Sequence, residues 1–135
     1  MIVDAGPLYA YVDSDDRHHA SCLDLLEVHP GPLIVPALVV TEVVYLIGTR
    51  LGVDPEVRFL GDLAAGSFQV EPVEPRDWLR IAELTAQYRD LPLRAVDASV
   101  VATAERLDVA TVATLDRRHF EVVRPIHVDY LELLP

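Results

Sequence analysis

Short apolar segments alternate with longer segments of helical periodicity, and this alternation constrains the fold more than any other feature. The predicted strands are IV (2–3), LIV (33–35), SFQVEPV (67–73), VATVAT (109–114) and EVVRP (121–125). Because helical segments separate most of these strands, the pattern predicts βαβ units. The expected fold class is therefore α/β, with a central, mostly parallel β-sheet flanked by helices on both faces.

The segments between the strands carry helix signals at their ends. Helices are predicted over residues 6–12, 17–28, 37–52, 54–66, 74–91 and 95–108. Pro36 near its first turn and Gly52 at its end bound the third of these helices. Asp54 is the expected N-cap of the fourth helix, with Pro55 as its first residue and Gly66 as its stop.

The predicted helix 74–91 has one apolar stripe that we expect to face the core. The stripe consists of Trp78, Ile81, Ala82, Thr85 and Tyr88. The tail HVDYLELLP (127–135) is compatible with a strand or with a short helix.

Chain length and composition predict a single domain over residues 1–135. The chain is 51% apolar and shows neither an internal repeat nor a linker. No apolar run reaches the roughly 18 residues of a membrane span, and Asp4 interrupts the N-terminus too early for a signal peptide. The lone Cys22 cannot form an internal disulfide and is expected to be a core thiol. These features predict a cytoplasmic protein without a membrane segment.

The charge balance limits how this chain can act. The formal net charge is −11, and all eleven basic residues other than histidine are arginines. An acidic surface argues against binding nucleic acid by bulk attraction and favours a basic protein partner. A local arginine cluster remains compatible with an anionic substrate. The absence of lysine excludes mechanisms that need an amine.

Two predicted strands end in an aspartate. Asp4 follows MIV, and Asp116 closes VATVATLD. In open α/β sheets, ligands bind just beyond the carboxyl ends of the strands, so both carboxylates are expected at the same sheet edge. Either residue could instead serve only as the N-cap of the helix that follows it.

Two further carboxylates lie in apolar helical segments. Glu42 and Thr41 are nearly the only polar residues of ALVVTEVVYLI (37–47), so we expect a mostly buried helix in which Glu42 has little access to water. The alternative is a narrow exposed seam at Thr41 and Glu42. Asp97 stands among small apolar residues in AVDASVVATA and is either an N-cap or a carboxylate that faces the same pocket.

If the four carboxylates converge, they need a cation. Two like charges about 4 Å apart repel by about 4 kcal/mol at an effective dielectric of 20. Mg²⁺ or Mn²⁺, bound through carboxylate oxygens and water, is the usual solution, and such a site hydrolyses phosphodiesters without a side-chain nucleophile. The chain has neither a Gly-rich phosphate loop nor a GxSxG motif. Its five histidines (18, 19, 29, 119 and 127) lack zinc-ligand spacing, and His18 and His19 are expected on a solvated helix face.

Four motifs, in order and over essentially the whole length, resemble those of PIN-domain ribonucleases, and within them the VapC-type toxins of toxin–antitoxin pairs. The motifs are MIVDAGPL (1–8), VVTEVVYL (39–46), RAVDASVVATAERL (94–107) and VATLDRRHF (112–120). The resemblance implies a PIN-like fold and a Mg²⁺- or Mn²⁺-dependent endoribonuclease that cleaves a structured RNA, such as a tRNA or a ribosomal RNA loop. It also implies a homodimer, inhibited by a cognate VapB-like antitoxin whose C-terminal segment blocks the acidic cleft.

The resemblance also implies roles for individual residues. Asp4 and Asp97 would be metal ligands, and Asp116 would complete the acidic set. Glu42 would hold the metal or activate a water bound to it. Thr114, two residues before Asp116, would support the site through a hydrogen bond.

The chain departs from the family pattern at two positions. Ala5 stands where many members have Thr or Ser after the first Asp, which removes a hydroxyl. Arg94 stands where many members carry a further acidic residue, which argues against a second complete metal site. Arg94 could contact an RNA phosphate or be an exposed loop residue. Arg117 and Arg118 could supply local positive potential to RNA or antitoxin, or form an ordinary surface pair.

Other functions fit the residues less well. A phosphate-handling receiver domain needs a lysine beside its aspartates, and a DxDx phosphatase would need an aspartate where Gly6 stands. Two alternatives remain within the family: a nuclease of RNA processing or maturation, and an inactive module that binds RNA or protein. The small size of the chain favours the toxin.

Overall fold

The computed structural model describes residues 1–135, and its strands form one parallel sheet. The strands are β1 (Ile2–Val3), β2 (Ile34–Pro36), β3 (Gln69–Glu71), β4 (Thr111–Ala113) and β5 (Glu132–Leu134). Their order is β3-β2-β1-β4-β5, and every neighbouring pair is parallel. The predicted α/β fold with a parallel central sheet is confirmed.

Seven helices connect and cover the strands. They are α1 (Ala5–Val12), α2 (His19–Val28), α3 (Ala37–Arg50), α4 (Val53–Ala65), α5 (Pro75–Gln87), α6 (Ala95–Leu107) and α7 (Arg117–Phe120). Ile2 and Val3 are both fully buried although successive strand residues point to opposite faces, so both faces of the sheet are covered at its centre. Cys22 is a buried free thiol, as predicted. No helix combines the length and the apolarity that a membrane crossing requires.

The predicted strand at 121–125 is wrong. The chain forms the short helix α7 and then a turn, and the strand beside β4 is β5, within the tail that is compatible in sequence with a strand or a short helix. Val123 and Pro125 are buried in this segment, which explains its strand-like alternation. Because β5 occupies the edge of β4, residues 121–125 have no strand to pair with.

The start of one helix also differs from expectation, whereas its end does not. Helix α4 starts at Val53 with Gly52 as its N-cap, so Asp54 lies inside the first turn and is not the cap. Gly66 ends the helix in a left-handed conformation (φ 78°), as predicted.

The predicted stripe of α5 is also partly wrong. The residues that α5 buries fully are Asp77, Ile81 and Leu84. Trp78 is 52% exposed and Ala82 is also exposed. The buried face is rotated because Asp77, a charged residue, occupies a core position through an ion pair with Arg106.

Candidate active site

The strand order of the sheet reverses at β1, and a pocket lies at this topological switch point. From β1 the chain adds β2 and β3 on one side, then β4 and β5 on the other. Crevices at the carboxyl ends of such strands are the usual ligand sites of open α/β sheets. The pocket has a volume of about 430 Å³. Its lining residues are Asp4, Ala5, Gly6, Glu42, Leu46, Asp97, Leu115 and Asp116. We call it the acidic pocket.

Asp4 is the most buried carboxylate of the acidic pocket, with 6% of its surface exposed. It occupies the N-cap position of α1, but its side chain makes no capping hydrogen bond. Its Oδ2 atom accepts a hydrogen bond of 2.8 Å from the Thr114 hydroxyl. Burial raises the pKa of Asp4 to about 6, although the bond from Thr114 opposes this effect. The carboxylate therefore lines the acidic pocket and does not cap α1 through a hydrogen bond to its first turn.

Thr114 connects three elements beneath the pocket. Its hydroxyl donates to Asp4 at the end of β1 and accepts a 3.0 Å hydrogen bond from the backbone N–H of Asp116, the N-cap residue of α7. The hydroxyl is buried and uses both its donor and an acceptor position. One side chain at the end of β4 thus fixes two of the acidic residues relative to each other.

Asp97 is the third residue of α6, and its Oδ2 accepts a 3.1 Å hydrogen bond from the backbone N–H of Arg94. This bond holds the carboxylate at the helix start, while the same side chain lines the acidic pocket. Burial raises the pKa of Asp97, and the hydrogen bond from Arg94 works against this effect. The two interpretations of Asp97 are therefore compatible, because one carboxylate serves both the helix and the pocket.

Glu42 reaches the acidic pocket from the exposed side of α3. Partial burial, and then the negative charge of Asp97, raise the pKa of its carboxyl group. Asp116 is the most open member, with 48% of its side chain exposed. Four different segments thus supply one carboxylate each.

His119 lies between two of the carboxylates. Its Nδ1 atom is 2.9 Å from Asp116 Oδ2 and 3.7 Å from Asp97 Oδ2. Neither contact has hydrogen-bond geometry, so this buried nitrogen has no hydrogen-bond partner. A buried polar atom without a partner is costly. Its place between two carboxylates marks His119 as part of the site.

The chemistry of the donors fits a hard divalent cation. The acidic pocket offers carboxylate oxygens, the ligand type of Mg²⁺ and Mn²⁺, and it is open enough to admit water and a phosphate group. As the side chains stand, no three Asp, Glu, His or Cys groups are arranged to hold a metal ion. The carboxylates therefore line the cavity without converging on one point.

Comparison with known proteins agrees with this architecture. The family model of the PIN domain matches residues 1–125. Ribonuclease VapC26 of Mycobacterium tuberculosis (strain ATCC 25618 / H37Rv) is 34% identical over 135 residues, which is 100% of each chain. The chain belongs to the PIN-domain family. Its full-length similarity to a VapC ribonuclease places it with the VapC-type members.

A solved structure shares the PIN fold. Mycobacterium tuberculosis VapC20, described as a Sarcin-Ricin loop cleaving toxin, matches with a TM-score of 0.84 at 18% identity. The match covers 99% of this chain and 98% of that one.

The structure of this PIN domain corrects the expectation for Glu42. The residues of α3 that are fully buried are Val39, Val43 and Ile47. Thr41, Glu42 and Tyr45 are exposed, so the alternative of an exposed seam describes the helix correctly. An apolar sequence misled here because much of α3 remains uncovered in this single chain.

The three arginines differ in their surroundings. Arg117 directs one guanidinium nitrogen, Nη2, to the backbone oxygens of Leu133 and Pro135, at 3.1 and 2.6 Å, and so ties α7 to the C-terminal strand. Arg94 and Arg118 are exposed.

The sequence motifs do not identify His119 as a site residue, because the five histidines lack zinc-ligand spacing. The signal was its position three residues after Asp116, one helical turn along the strand–turn–helix segment TLDRRHF.

Proposed function

We propose that this PIN domain is a Mg²⁺- or Mn²⁺-dependent endoribonuclease and the toxin of a toxin–antitoxin pair. One observation carries the proposal: four carboxylates line a single pocket at the switch point of the sheet, and no guanidinium pairs with any of them. Leaving such charges unpaired is costly, and such sites are typically functional. The proposed substrate is a structured RNA, either a tRNA or a ribosomal RNA loop; the description of VapC20 as a Sarcin-Ricin loop cleaving toxin supports this class.

Asp4, Asp97 and Asp116 would hold the metal ion, with Glu42 as a further ligand or as a proton acceptor. When bound, the ion supplies a Lewis acid that lowers the pKa of water and offsets the charge of the phosphodiester. Rotation of the side chains around the fixed Asp4 would bring the carboxylates together.

The protein's own residues then have distinct tasks. The Thr114 hydroxyl holds Asp4 Oδ2 in one orientation, and the start of α6 holds Asp97. His119 places its Nδ1 atom between the carboxylates of Asp97 and Asp116. Glu42, whose pKa is raised, accepts a proton from the attacking water at its carboxylate.

Gly6 shapes the floor of the acidic pocket. A Cβ atom on Gly6 would lie 3.2 Å from the Leu115 Cβ atom, which is tighter than ordinary packing. The glycine therefore allows Leu115 to lie against the start of α1 between Asp4 and Asp116.

The proposal extends to partners and location. We propose a homodimer in the cytoplasm, with residues 1–135 as one domain, inhibited by a VapB-like antitoxin whose C-terminal segment blocks the acidic pocket. The net charge of −11 suits a basic segment of such a partner. Exposed apolar side chains on α3 and α4, namely Tyr45, Val53, Val57 and Leu60, supply surface for protein contacts.

The test is metal-dependent RNA cleavage by the purified protein. We expect cleavage with Mg²⁺ or Mn²⁺, loss of cleavage in a chelator, and a fall of about a thousandfold in Asp4→Asn, because an amide cannot replace an anionic ligand. Asp24→Asn, an exposed aspartate on α2, is the matched control and should cleave normally. Full activity of Asp4→Asn would overturn the mechanism.

Expression in cells separates the toxin from a maturation nuclease. The toxin should arrest growth unless the antitoxin is expressed with it, and mapping of RNA 5′ ends after induction should reveal its target. Cleavage in vitro combined with harmless expression would favour a nuclease of RNA maturation. Specific RNA binding without cleavage would favour an inactive binding module.

A further inference from the structure

A second pocket lies beside the first turn of α6. It has a volume of about 360 Å³ and is lined by Thr85, Arg89, Pro92, Leu93, Arg94 and Ala95. We call it the arginine pocket. The first turn of α6 separates it from the acidic pocket, because Arg94 and Ala95 line one cavity and Asp97 lines the other.

The guanidinium groups of this pocket are available for a ligand. The Arg94 side chain makes no hydrogen bond or ion pair; only the backbone of this residue is engaged, its N–H with Asp97 and its carbonyl with the N–H of Ala98. Arg89 uses only Nε, which donates to the Ala86 carbonyl at 3.0 Å, so both of its terminal NH₂ groups are free. Both residues are exposed. By contrast, Arg106 is saturated by carboxylates and a carbonyl.

The chemistry of the arginine pocket suits a phosphate group. A guanidinium presents a planar fork of donors that binds phosphate oxygens in pairs. Ala95 is the first residue of α6, so the positive end of a 13-residue helix adds to the potential. In a chain of net charge −11, this pair of free arginines is a local exception next to the acidic pocket.

We propose that the arginine pocket binds the phosphodiester group of the RNA substrate that neighbours the group cleaved in the acidic pocket. This inference rests on the proposed ribonuclease function and adds a subsite to it. Arg94 joins the two pockets, since its backbone N–H holds Asp97 at 3.1 Å while its side chain lines the phosphate site. An acidic segment of a protein partner would also pair with arginines. Adjacency to the acidic pocket, where the proposed cleavage takes place, favours the RNA over such a partner.

The experiment measures RNA binding as a function of salt. The full-length protein binds a fluorescein-labelled single-stranded RNA decamer in a chelator, which prevents cleavage, and anisotropy gives the Kd. We expect Arg89→Ala and Arg94→Ala each to weaken binding about tenfold, the scale of a charge-assisted hydrogen bond. The slope of log K against log salt should become shallower by about 0.7, the contribution of one phosphate of a single strand.

A matched control removes the same charge elsewhere. Arg58→Ala, on the exposed side of α4 and outside both pockets, should bind the decamer with the Kd and salt slope of the wild type. Arg94→Lys should keep the salt slope and lose part of the affinity, because lysine keeps the charge without the fork. Equal Kd values and slopes for Arg94→Ala and Arg58→Ala would overturn the inference.

Two further measurements separate this inference from the proposed function. With Mg²⁺, the arginine variants should raise KM for RNA about tenfold while kcat changes little, as for a binding residue. A wild-type protein that binds the decamer but cleaves no RNA overturns the ribonuclease, while the binding data still decide the arginine pocket. Arginine variants that bind RNA normally but no longer associate with the antitoxin would assign the pocket to that protein and overturn the inference.

Discussion

Two aspartates occupy the same position in neighbouring helices and have different surroundings. Asp77 in α5 and Asp97 in α6 are each the third residue of their helix, and each accepts a hydrogen bond from the N-cap backbone N–H, at 2.9 and 3.1 Å. Both Asp77 oxygens also lie 3.0 Å from Arg106 Nε. Asp97 has no arginine partner and lines the acidic pocket. The same local motif therefore serves the core in one helix and the site in the other.

The difference extends to the whole surroundings of each aspartate. Arg106 also contacts Glu71 at 2.7 Å and Glu74 at 3.5 Å, and Arg80 binds Glu105 at 2.7 Å. In this network each carboxylate has a guanidinium. In the acidic pocket His119 is the only basic side chain that touches a carboxylate. Paired carboxylates hold elements together, whereas unpaired ones are free to bind a cation.

Loss of the guanidinium should have the largest effect on stability. We expect Arg106→Ala to lower the free energy of unfolding by about 3–5 kcal/mol, because it leaves Asp77 buried and uncompensated. Asp97→Asn should leave the free energy of unfolding unchanged or slightly raised. Urea denaturation measures both. If Arg106→Ala proves no more harmful than Arg58→Ala, the contrast between the two aspartates is lost.

The carboxylate of Asp4 in the acidic pocket should make the free energy of unfolding depend on pH. The folded-state pKa of Asp4, about 6, lies above its unfolded value of 3.8, so folding favours the protonated form. The contribution of Asp4 to the free energy of unfolding is therefore fully present below pH 4 and is lost as the pH rises through 6. At pH 7.5 without metal, Asp4→Asn should therefore be more stable than the wild type by about 3 kcal/mol.

The difference between Asp4→Asn and the wild type should shrink towards zero as the pH falls to 4. Denaturation in a chelator at several pH values measures it. Asp24→Asn, at an exposed position of α2, is the control for the loss of one negative charge. A wild type that gains stability over Asp4→Asn as the pH rises would contradict the assignment.

The smallest expected effect concerns the hydroxyl that connects the acidic residues. Thr114→Val keeps the shape of the side chain but removes the donor to Asp4 and the acceptor for the Asp116 N–H. We expect a loss of about 1–2 kcal/mol in the free energy of unfolding and a lower cleavage rate. Thr111→Val, on the same strand, breaks only an exposed bond to Glu132 and is the control. Equal effects of the two substitutions would contradict the role of Thr114.

The sequence predicted the elements whose signals are local. Strands β1, β2 and β4 and the long helices follow from apolar runs, proline and glycine within a few residues. The strand predicted at 121–125 failed because a three-residue strand exists only if a neighbour has a free edge, and β5 occupies that edge. Apolar periodicity wrongly predicts Trp78 to be in the core. The buried position is that of the neighbouring Asp77, and Asp77 is buried because it pairs with Arg106, a residue 29 positions away.

The site was predictable in its acidic members and not in the groups between them. Asp4, Glu42, Asp97 and Asp116 stand out because each interrupts or ends an apolar segment, and the structure places all four around one pocket. His119 interrupts no apolar pattern, and its proximity to Asp97 arises only in the folded chain. The tether of Arg117 to the tail depends likewise on β5 lying next to β4.

The placement of β1 at the centre of the sheet has a consequence for how the protein is made. Thr114 and Asp4, the two ends of the bond beneath the acidic pocket, are 110 residues apart in sequence. β1 therefore lacks its neighbour on one edge until β4, about 110 residues later in the chain, has been synthesised. An interrupted or truncated chain that stops before β4 lacks Asp116 and the support of Asp4 together. Translation products that stop before β4 would therefore be inert, because they lack part of the acidic pocket.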